Sequence, residues 1–194
     1  MTVRQWAFSV WQAAESRLDG AFGAEANPLR RLGAIVFMLF WAVAASGIYL
    51  YVFLDTSAAQ VWRSVEAIGR GQWPIGGLMR GLHRYASDAL VVVMFAHLVR
   101  EYLAGHARGF RWFSWISGVP LIVLLYASGI GGYWLVWDQL ALFSATATAE
   151  WLDWIGITSE PFARNFLSAD RVIDRLFTLF IFLHIGIPLA LLLG

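Results

Sequence analysis

Four long stretches of the sequence consist mainly of apolar side chains. Residues 32–54 and 112–137 contain no charged residue, and residues 78–103 and 171–194 contain only a few. A helix of about 20 mainly apolar residues is long enough to cross the hydrocarbon layer of a bilayer. With 59% hydrophobic residues overall, the sequence predicts an all-α integral membrane protein with four transmembrane helices.

Short links between the first three spans favour an antiparallel four-helix transmembrane bundle. Residues 1–28 alternate apolar and polar side chains at helical spacing, which predicts an N-terminal amphipathic helix in the membrane interface. Residues 29–194 then form the bundle. A short surface helix is expected at residues 61–68, and a polar connection with an amphipathic piece at residues 148–155 is expected before the fourth span. A formal net charge of +1 gives no indication of nucleic-acid binding.

Two histidines of the second span, His83 and His97, are fourteen residues apart. Fourteen residues make nearly four helical turns, so both imidazoles lie on almost the same face, ~21 Å apart along the axis. Haem iron accepts histidine as an axial ligand. The pair therefore predicts two metal centres stacked across the membrane, and the alternative is that each histidine hydrogen-bonds to a neighbouring helix. His106 is interpreted as a solvated loop residue.

Glycine pairs in the first and third spans repeat the fourteen-residue step. In an up-and-down bundle, each pair contributes one glycine to each histidine depth. One depth then contains Gly47, His83, Gly132 and His184, and the other contains Gly33, His97 and Gly118. A flat macrocycle between the second and fourth spans needs its rim to approach the other two backbones, where a Cβ atom would collide. The alternative for either pair is close helix packing.

Three arginines lie near the histidines of the second span: Arg80, Arg84 and Arg100. Guanidinium groups pair well with carboxylates such as haem propionates. The alternative is that these side chains extend to the membrane surface. Asp88 lies one turn after Arg84, which favours a local ion pair or an interfacial carboxylate.

These motifs resemble the N-terminal, haem-binding half of cytochrome b from bc-type and bf-type quinol-oxidising complexes. The resemblance is carried by RGLHRY at residues 80–85, HLVR at 97–100, GYWLVWDQ at 132–139 and HIGIP at 184–188. It implies two b-type haems between the second and fourth spans. By this resemblance His83 and His184 ligate the outer haem, and His97 ligates the haem nearer the cytoplasm.

The resemblance also implies a function and partners. It predicts an electron-transfer subunit of a membrane oxidoreductase rather than a stand-alone enzyme, acting between quinone or quinol and iron–sulfur or c-type cytochrome subunits. Tyr133 and Asp138 are the candidate quinone-site residues. Membrane lipid, a homodimer, a bacterial inner membrane and a cytoplasmic N-terminus are further expectations. Arginines are equally numerous on the two sides, so the predicted orientation depends on the resemblance.

The sequence departs from the family pattern at several points. Val136 stands where the family has proline, and the half of the family that completes the quinol-oxidation site is missing. Arg175 lies about a turn further from His184 than in the family. With no cysteine in the chain, the extra haem of the photosynthetic homologue, attached near Arg31, is not expected. The alternatives are a module of a fused or split complex and a haem-free membrane scaffold.

The fourth span has one histidine, whereas a second bis-histidine haem needs two on that helix. A fourteen-residue step from His184 points to about position 198. We therefore expect residues 1–194 to be a piece of a longer polypeptide, with another histidine about four residues after Gly194.

His83→Ala and His97→Ala are predicted to remove different haems, because their imidazoles lie ~21 Å apart along one helix and cannot share an iron. Difference spectra of the two purified variants measure this. Equal loss of both haems from each folded variant would contradict the two-layer arrangement.

Overall fold

A computed structural model describes residues 1–156 and 172–191. Seven α-helices make up most of this part of the chain, which contains no strand: α1 Val3–Phe22, α2 Leu32–Phe53, α3 Val61–Glu66, α4 Ile75–Leu103, α5 Trp112–Trp134, α6 Gln139–Ile155 and α7 Val172–Leu191. Four helical stretches are long and apolar enough to cross a membrane: Leu32–Phe53, Ile75–Leu103, Gly109–Trp134 and Asp174–Leu191. The predicted fold class and the four spans are confirmed.

The structure corrects the sequence analysis between the third and fourth spans. α5 ends at Trp134, three residues earlier than predicted, and Trp137 has a left-handed φ of 56° that cannot continue the helix. The expected polar connection begins with α6, a 17-residue helix. Its side chains buried in the protein are small: Ala141, Ala145 and Ala149. This weakly hydrophobic stripe explains why the sequence predicts amphipathic pieces such as residues 148–155 in this connection, rather than one helix of 17 residues.

The chain divides into two compact units. Unit 1 comprises Met1–Ala45 and Leu82–Leu124, and unit 2 comprises Ser46–Gly81 and the described residues from Leu125 onward. The first three spans each contribute one part to unit 1 and the other part to unit 2.

In unit 1, α2 and α4 run antiparallel. The early residue Gly33 of α2 lies beside His97 late in α4, whereas the later residue Val43 contacts His83 early in α4. The third span joins α4 through Trp115, whose indole Nε1–H donates to the Leu98 carbonyl at 3.1 Å. These contacts agree with the up-and-down order predicted for the first three spans.

Helix α1 packs against the protein through a mixed face, on which the buried Glu15 lies among half-buried apolar side chains such as Trp11 and Leu18. The Glu15 side chain is 4% exposed and accepts from Arg100 Nε at 2.8 Å and from Trp11 Nε1 at 3.0 Å. Arg4 donates to the Leu103 carbonyl at 2.7 Å. The exposed large apolar side chains of this helix include Val3, Trp6, Val10 and Phe22. This outward apolar side supports the predicted interfacial position, which stays a prediction.

The chain segment after α1 is held by a second polar cluster. Asp19 accepts from Arg30 Nη2 at 2.8 Å and from Asn27 Nδ2 at 2.6 Å. The hydrogen bond from Arg30 is the main reason that the pKa of Asp19 lies below its usual value. Asn27 also caps the 3₁₀ turn Pro28–Arg30 by accepting from Leu29 N. The turn into α2 is therefore specified by side chains.

Unit 2 has a buried apolar core in which α5 and α7 run antiparallel. Its buried members are Val61, Val65, Leu135, Ala145, Leu176, Phe177 and Phe180. Trp134 packs against Phe180 at a tilt, with ring centroids 4.7 Å apart, and Trp137 contacts Phe177 edge-on at 5.0 Å. Burial of these aromatic rings provides much of the hydrophobic stabilisation of the unit.

Glu15→Ala is predicted to loosen α1, because it leaves the Arg100 guanidinium with Glu101 as its one carboxylate partner among the described residues. We expect a loss of about 1–3 kcal/mol in stability and faster hydrogen exchange along α1. Gln12→Ala, an exposed change on the same helix, is the matched control. Equal effects of the two variants would contradict the structural role of Glu15.

Candidate functional site

In unit 1, His83 is oriented by a main-chain carbonyl. Its Nδ1 lies 3.0 Å from the Val43 oxygen. A carbonyl oxygen can only accept, so a hydrogen bond here places a hydrogen on Nδ1, and in a neutral imidazole Nε2 is then the nitrogen that can ligate a metal. A histidine that ligates a metal commonly donates its other ring N–H to a carbonyl in this way. The Val43 contact therefore prepares the His83 ring as an Nε2 ligand.

In unit 2, His184 has the same arrangement. Its Nδ1 lies 2.9 Å from the carbonyl oxygen of Ser128. The buried Ser128 hydroxyl donates in return to the His184 carbonyl at 3.3 Å. With a hydrogen on Nδ1, the neutral ring again has Nε2 as the nitrogen that can ligate a metal. Two histidines on different helices thus share one tautomer for the same physical reason.

A glycine lies four residues after each of these carbonyls, namely Gly47 after Val43 and Gly132 after Ser128. In an α-helix, the carbonyl of residue i accepts from the N–H of residue i+4, so carbonyl and glycine lie at one level. A side chain at this level would obstruct an imidazole that approaches the carbonyl. A Cβ atom on Gly132 would lie 2.5 Å from His184 Cε1.

His97 also packs against a glycine, but more loosely. A Cβ atom on Gly33 would lie 3.4 Å from His97 Cε1, which is ordinary van der Waals contact. Among the described residues, no carbonyl orients the His97 ring as Val43 orients His83. The structure therefore brings each of these glycines to the histidine predicted at its depth, but imidazole occupies the space that the sequence analysis assigned to a macrocycle rim.

The remaining predicted glycines are less informative. A Cβ atom on Gly118 would lie 3.2 Å from Leu98 Cδ1, next to His97 in sequence. Gly47 is half-buried. Their contact with a haem stays a prediction.

Two of the three predicted arginines already have protein contacts. Arg100 pairs with Glu15 at 2.8 Å and with Glu101 at 3.1 Å. The exposed Arg84 lies over the ring of Tyr85, 6.0 Å from its centroid. Arg80 Nη1 lies 3.1 Å from the position that a Cβ atom on Gly69 would take. A role in binding propionates stays a prediction for all three.

The structure corrects two expectations, on the ion pair of Asp88 and on the solvation of His106. Within the described ranges no ion pair joins Arg84 to Asp88, so the predicted pair is not formed and Asp88 is an exposed carboxylate. His106 is not a fully solvated loop residue, because its Nδ1 hydrogen-bonds to the carboxylate of Glu101. Arg111 Nη1 approaches the other ring nitrogen of His106 at 3.3 Å.

The two predicted quinone-site residues lie next to the left-handed turn at the end of α5. Tyr133 is 45% exposed. The Asp138 carboxylate accepts from the Ala141 N–H at 2.7 Å and so caps the N-terminus of α6. This cap gives Asp138 a structural role that the sequence analysis did not include, and its contact with quinone stays a prediction.

The histidine donors suit a metal ion that is already coordinated by a macrocycle rather than a bare ion. The part of the chain that the structure describes contains no group of three or more His, Cys, Asp or Glu residues that could hold a bare metal ion. It does hold two imidazoles whose Nδ1 atoms contact a main-chain carbonyl, and a glycine lies four residues after each of these carbonyls. A haem iron receives four nitrogens from its macrocycle and takes axial histidines from the protein. The residues present therefore fit a haem.

Three contributors were missed by the sequence analysis. The carbonyls of Val43 and Ser128 have no side-chain signature, although their position four residues before a glycine could have indicated them. Glu15 was counted with the polar face of an interfacial helix, and nothing in its spacing distinguishes it from its solvated neighbours.

Apolar helical spans that carry oriented histidines are typical of membrane proteins that bind a metal macrocycle. Comparison with known families agrees, since the Cytochrome b/b6/petB family matches residues 23–193. The cytochrome b6 of Porphyra purpurea is 30% identical over 153 residues, which are 79% of this chain and 71% of that protein. The cytochrome b6 of Heterocapsa triquetra is 34% identical over 124 residues, 62% of this chain and 56% of that one. The chain therefore belongs to the cytochrome b/b6 family and is an integral membrane protein.

A solved structure described as "Hyperthermophilic respiratory Complex III" has the same fold. The TM-score is 0.71 at 20% sequence identity, and the match covers 84% of this chain and 44% of that one. The chain thus spans less than half the length of this structural neighbour, and between about half and 71% of the cytochrome b6 relatives.

Gly132→Ala is predicted to destabilise unit 2, because the new methyl group would lie 2.5 Å from His184 Cε1. Overpacking of this kind costs about 1–3 kcal/mol. Gly129→Ala is the matched control on the same helix, where a Cβ atom meets nothing within 4 Å and the change is expected to be neutral or slightly stabilising. Thermal unfolding of the two variants checks this, and a Gly132→Ala variant as stable as the control would contradict the close packing.

Proposed function

We propose that this chain carries electrons across the bilayer as the haem-binding part of a cytochrome b-type subunit of a quinol oxidoreductase. The observation that carries the proposal is the hydrogen bond that His83 and His184 share in kind: the Nδ1 of each ring contacts a main-chain carbonyl of a neighbouring helix. Membership of the cytochrome b/b6 family supports it independently.

Two b-type haems are proposed, one at each histidine depth. His83 and His184 provide Nε2 ligands for one haem, and His97 provides a ligand for the other. A bound haem supplies reversible one-electron oxidation and reduction at its iron. The protein residues fix the imidazole orientation, exclude water with apolar helices and set the electrostatic surroundings.

Glycines and arginines complete the proposed haem environment. Gly33, Gly47, Gly118 and Gly132 allow close approach of helices and imidazoles at the two depths. Arg80, Arg84 and Arg100 are proposed to neutralise propionates. A guanidinium has five N–H donors, so the contacts of Arg100 with Glu15 and Glu101 are compatible with a further anionic partner.

Quinone is the proposed small-molecule partner, with Tyr133 and Asp138 as the candidate contact residues. Asp138 then combines capping of α6 with a position at the quinone site. The proposed protein partners are iron–sulfur or c-type cytochrome subunits, with a second copy of the chain as a possible homodimer partner. We further propose a bacterial inner membrane and a cytoplasmic N-terminus, on the resemblance alone.

A second candidate is a module of a fused or split complex that delivers electrons to another chain. Haem stoichiometry measured with any co-purifying subunits distinguishes the two arrangements.

Substitution of the individual histidines tests the haem assignment. His184→Ala and His83→Ala are expected to lose the same haem signal in reduced-minus-oxidised spectra, and the double variant is expected to lose no more than either single one. His106→Ala is the matched control, because that ring contacts Glu101 and Arg111 outside the proposed ligand sets.

Two outcomes would overturn the proposal. A folded wild-type protein without a Soret band would indicate a haem-free scaffold. Loss of the His97 signal in His184→Ala would show that the ligand pairing between the helices is wrong.

A further inference from the structure

An open groove of about 320 Å³ lies between α4 and α5 within unit 1. Its lining side chains are apolar or aromatic: Phe95, Leu98, Val99, Tyr102 and Trp115. The volume is at the lower end of the range for ligand sites, about 300–1,000 Å³. Phe95 and Tyr102 are seven residues apart, so the groove follows α4 for ~10 Å from its C-terminal end into the span.

The groove is separate from the proposed haem site. At about 100° of rotation per residue, its four α4 side chains lie about 100–200° around the helix from His97. A macrocycle ligated by His97 would therefore face another side of α4. The groove also contains none of the histidines, glycines or arginines assigned above.

The aromatic wall of the groove, formed by Tyr102 and Trp115, is held by its own contacts and has few hydrogen-bond donors for a polar head group. Tyr102 and Trp115 rings pack with centroids 5.6 Å apart. The Trp115 indole N–H already donates to the Leu98 carbonyl at 3.1 Å. A quinone would need donors for its carbonyls, and the Tyr102 hydroxyl is the single side-chain donor left in this wall. An aliphatic chain needs no such partner.

Positive charge collects at the end of α4 that carries Tyr102. Exposed Arg108 and Arg111 lie in the connection between the two helices that form the groove. Arg111 is four residues before Trp115, one helical turn away. Nearby Arg100 is neutralised by Glu15 and Glu101. Arg111 contacts the His106 ring at 3.3 Å. No ion pair among the described residues joins Arg108 or Arg111 to a carboxylate, so this end of the groove is basic.

We propose that this groove binds an anionic phospholipid of the bilayer, with an acyl chain along Phe95, Val99 and Tyr102 and the phosphate at Arg111 and Arg108. Charge complementarity selects this occupant, because an apolar channel with basic residues at its interfacial end matches an anionic amphiphile. The arrangement does not depend on haem binding or on the proposed electron transfer.

Native mass spectrometry of the intact chain, with any co-purifying subunits, tests the proposal. The protein is reconstituted in nanodiscs containing equal phosphatidylglycerol and phosphatidylcholine, released, and examined for retained lipid. We expect one phosphatidylglycerol in preference to phosphatidylcholine. Arg111→Gln should reduce that preference about fivefold, as loss of one interfacial charge predicts. Arg63→Gln, another exposed arginine, is the charge control.

A second pair of variants tests the groove itself. Val99→Phe fills it and is expected to abolish lipid retention, whereas Val92→Phe places the same side chain two turns deeper on that helix face, outside the groove, and should retain lipid. Equal retention of both lipids by the wild type, or unchanged retention in Val99→Phe, would mean annular lipid and overturn the proposal. Retention of a mass that matches a quinone would also overturn the proposal. The same holds if a co-purifying subunit covers this groove and excludes lipid from it.

Discussion

The contact of an imidazole N–H with a main-chain carbonyl beside a glycine is the constraint on which the described arrangement depends. It requires that a histidine and a helix backbone approach within hydrogen-bond distance, as His83 does to Val43 and His184 to Ser128. A single residue of register shift would rotate the histidine by about 100° away from that carbonyl. The contact therefore sets the register of α2 against α4 in unit 1 and of α5 against α7 in unit 2.

Much of this could be predicted from the sequence because the spacing of chemically distinctive residues survives folding. Histidines and glycines fourteen residues apart stay in phase on a helix. The apolar runs mark the extent of each span, and the short links between them indicate the antiparallel order. Carbonyls, in contrast, are present at every residue, so only a glycine four residues later marks one as accessible. Ala141 and its companions on α6 gave too weak a hydrophobic signal for the full helix.

Helix α1 illustrates a further limit of sequence patterns at a membrane surface. Its apolar and polar sides are both evident, but a pattern alone does not say which side meets protein. In the structure the carboxylate of Glu15 is buried against Arg100, and Trp6 faces outward. Lipid is as apolar as a protein core, so apolar side chains occur on both sides of α1. Trp11 and Leu18 are half-buried, whereas Val10 is exposed. The buried ion pair with Arg100 is what identifies the inner side.

The histidines of the two predicted depths have similar sequence surroundings but different contacts, and the beginning of α2 explains why. Four residues before Gly47 and Gly132 there is a helical carbonyl for an imidazole to meet. Four residues before Gly33 is Leu29, which belongs to the 3₁₀ turn that precedes α2. The helix has not yet begun there, so its first N–H groups lack intrahelical partners and no carbonyl of α2 lies four residues before Gly33. The repeat thus provides two glycine–histidine contacts, whereas the helix terminus leaves His97 without the carbonyl that fixes the tautomer of His83.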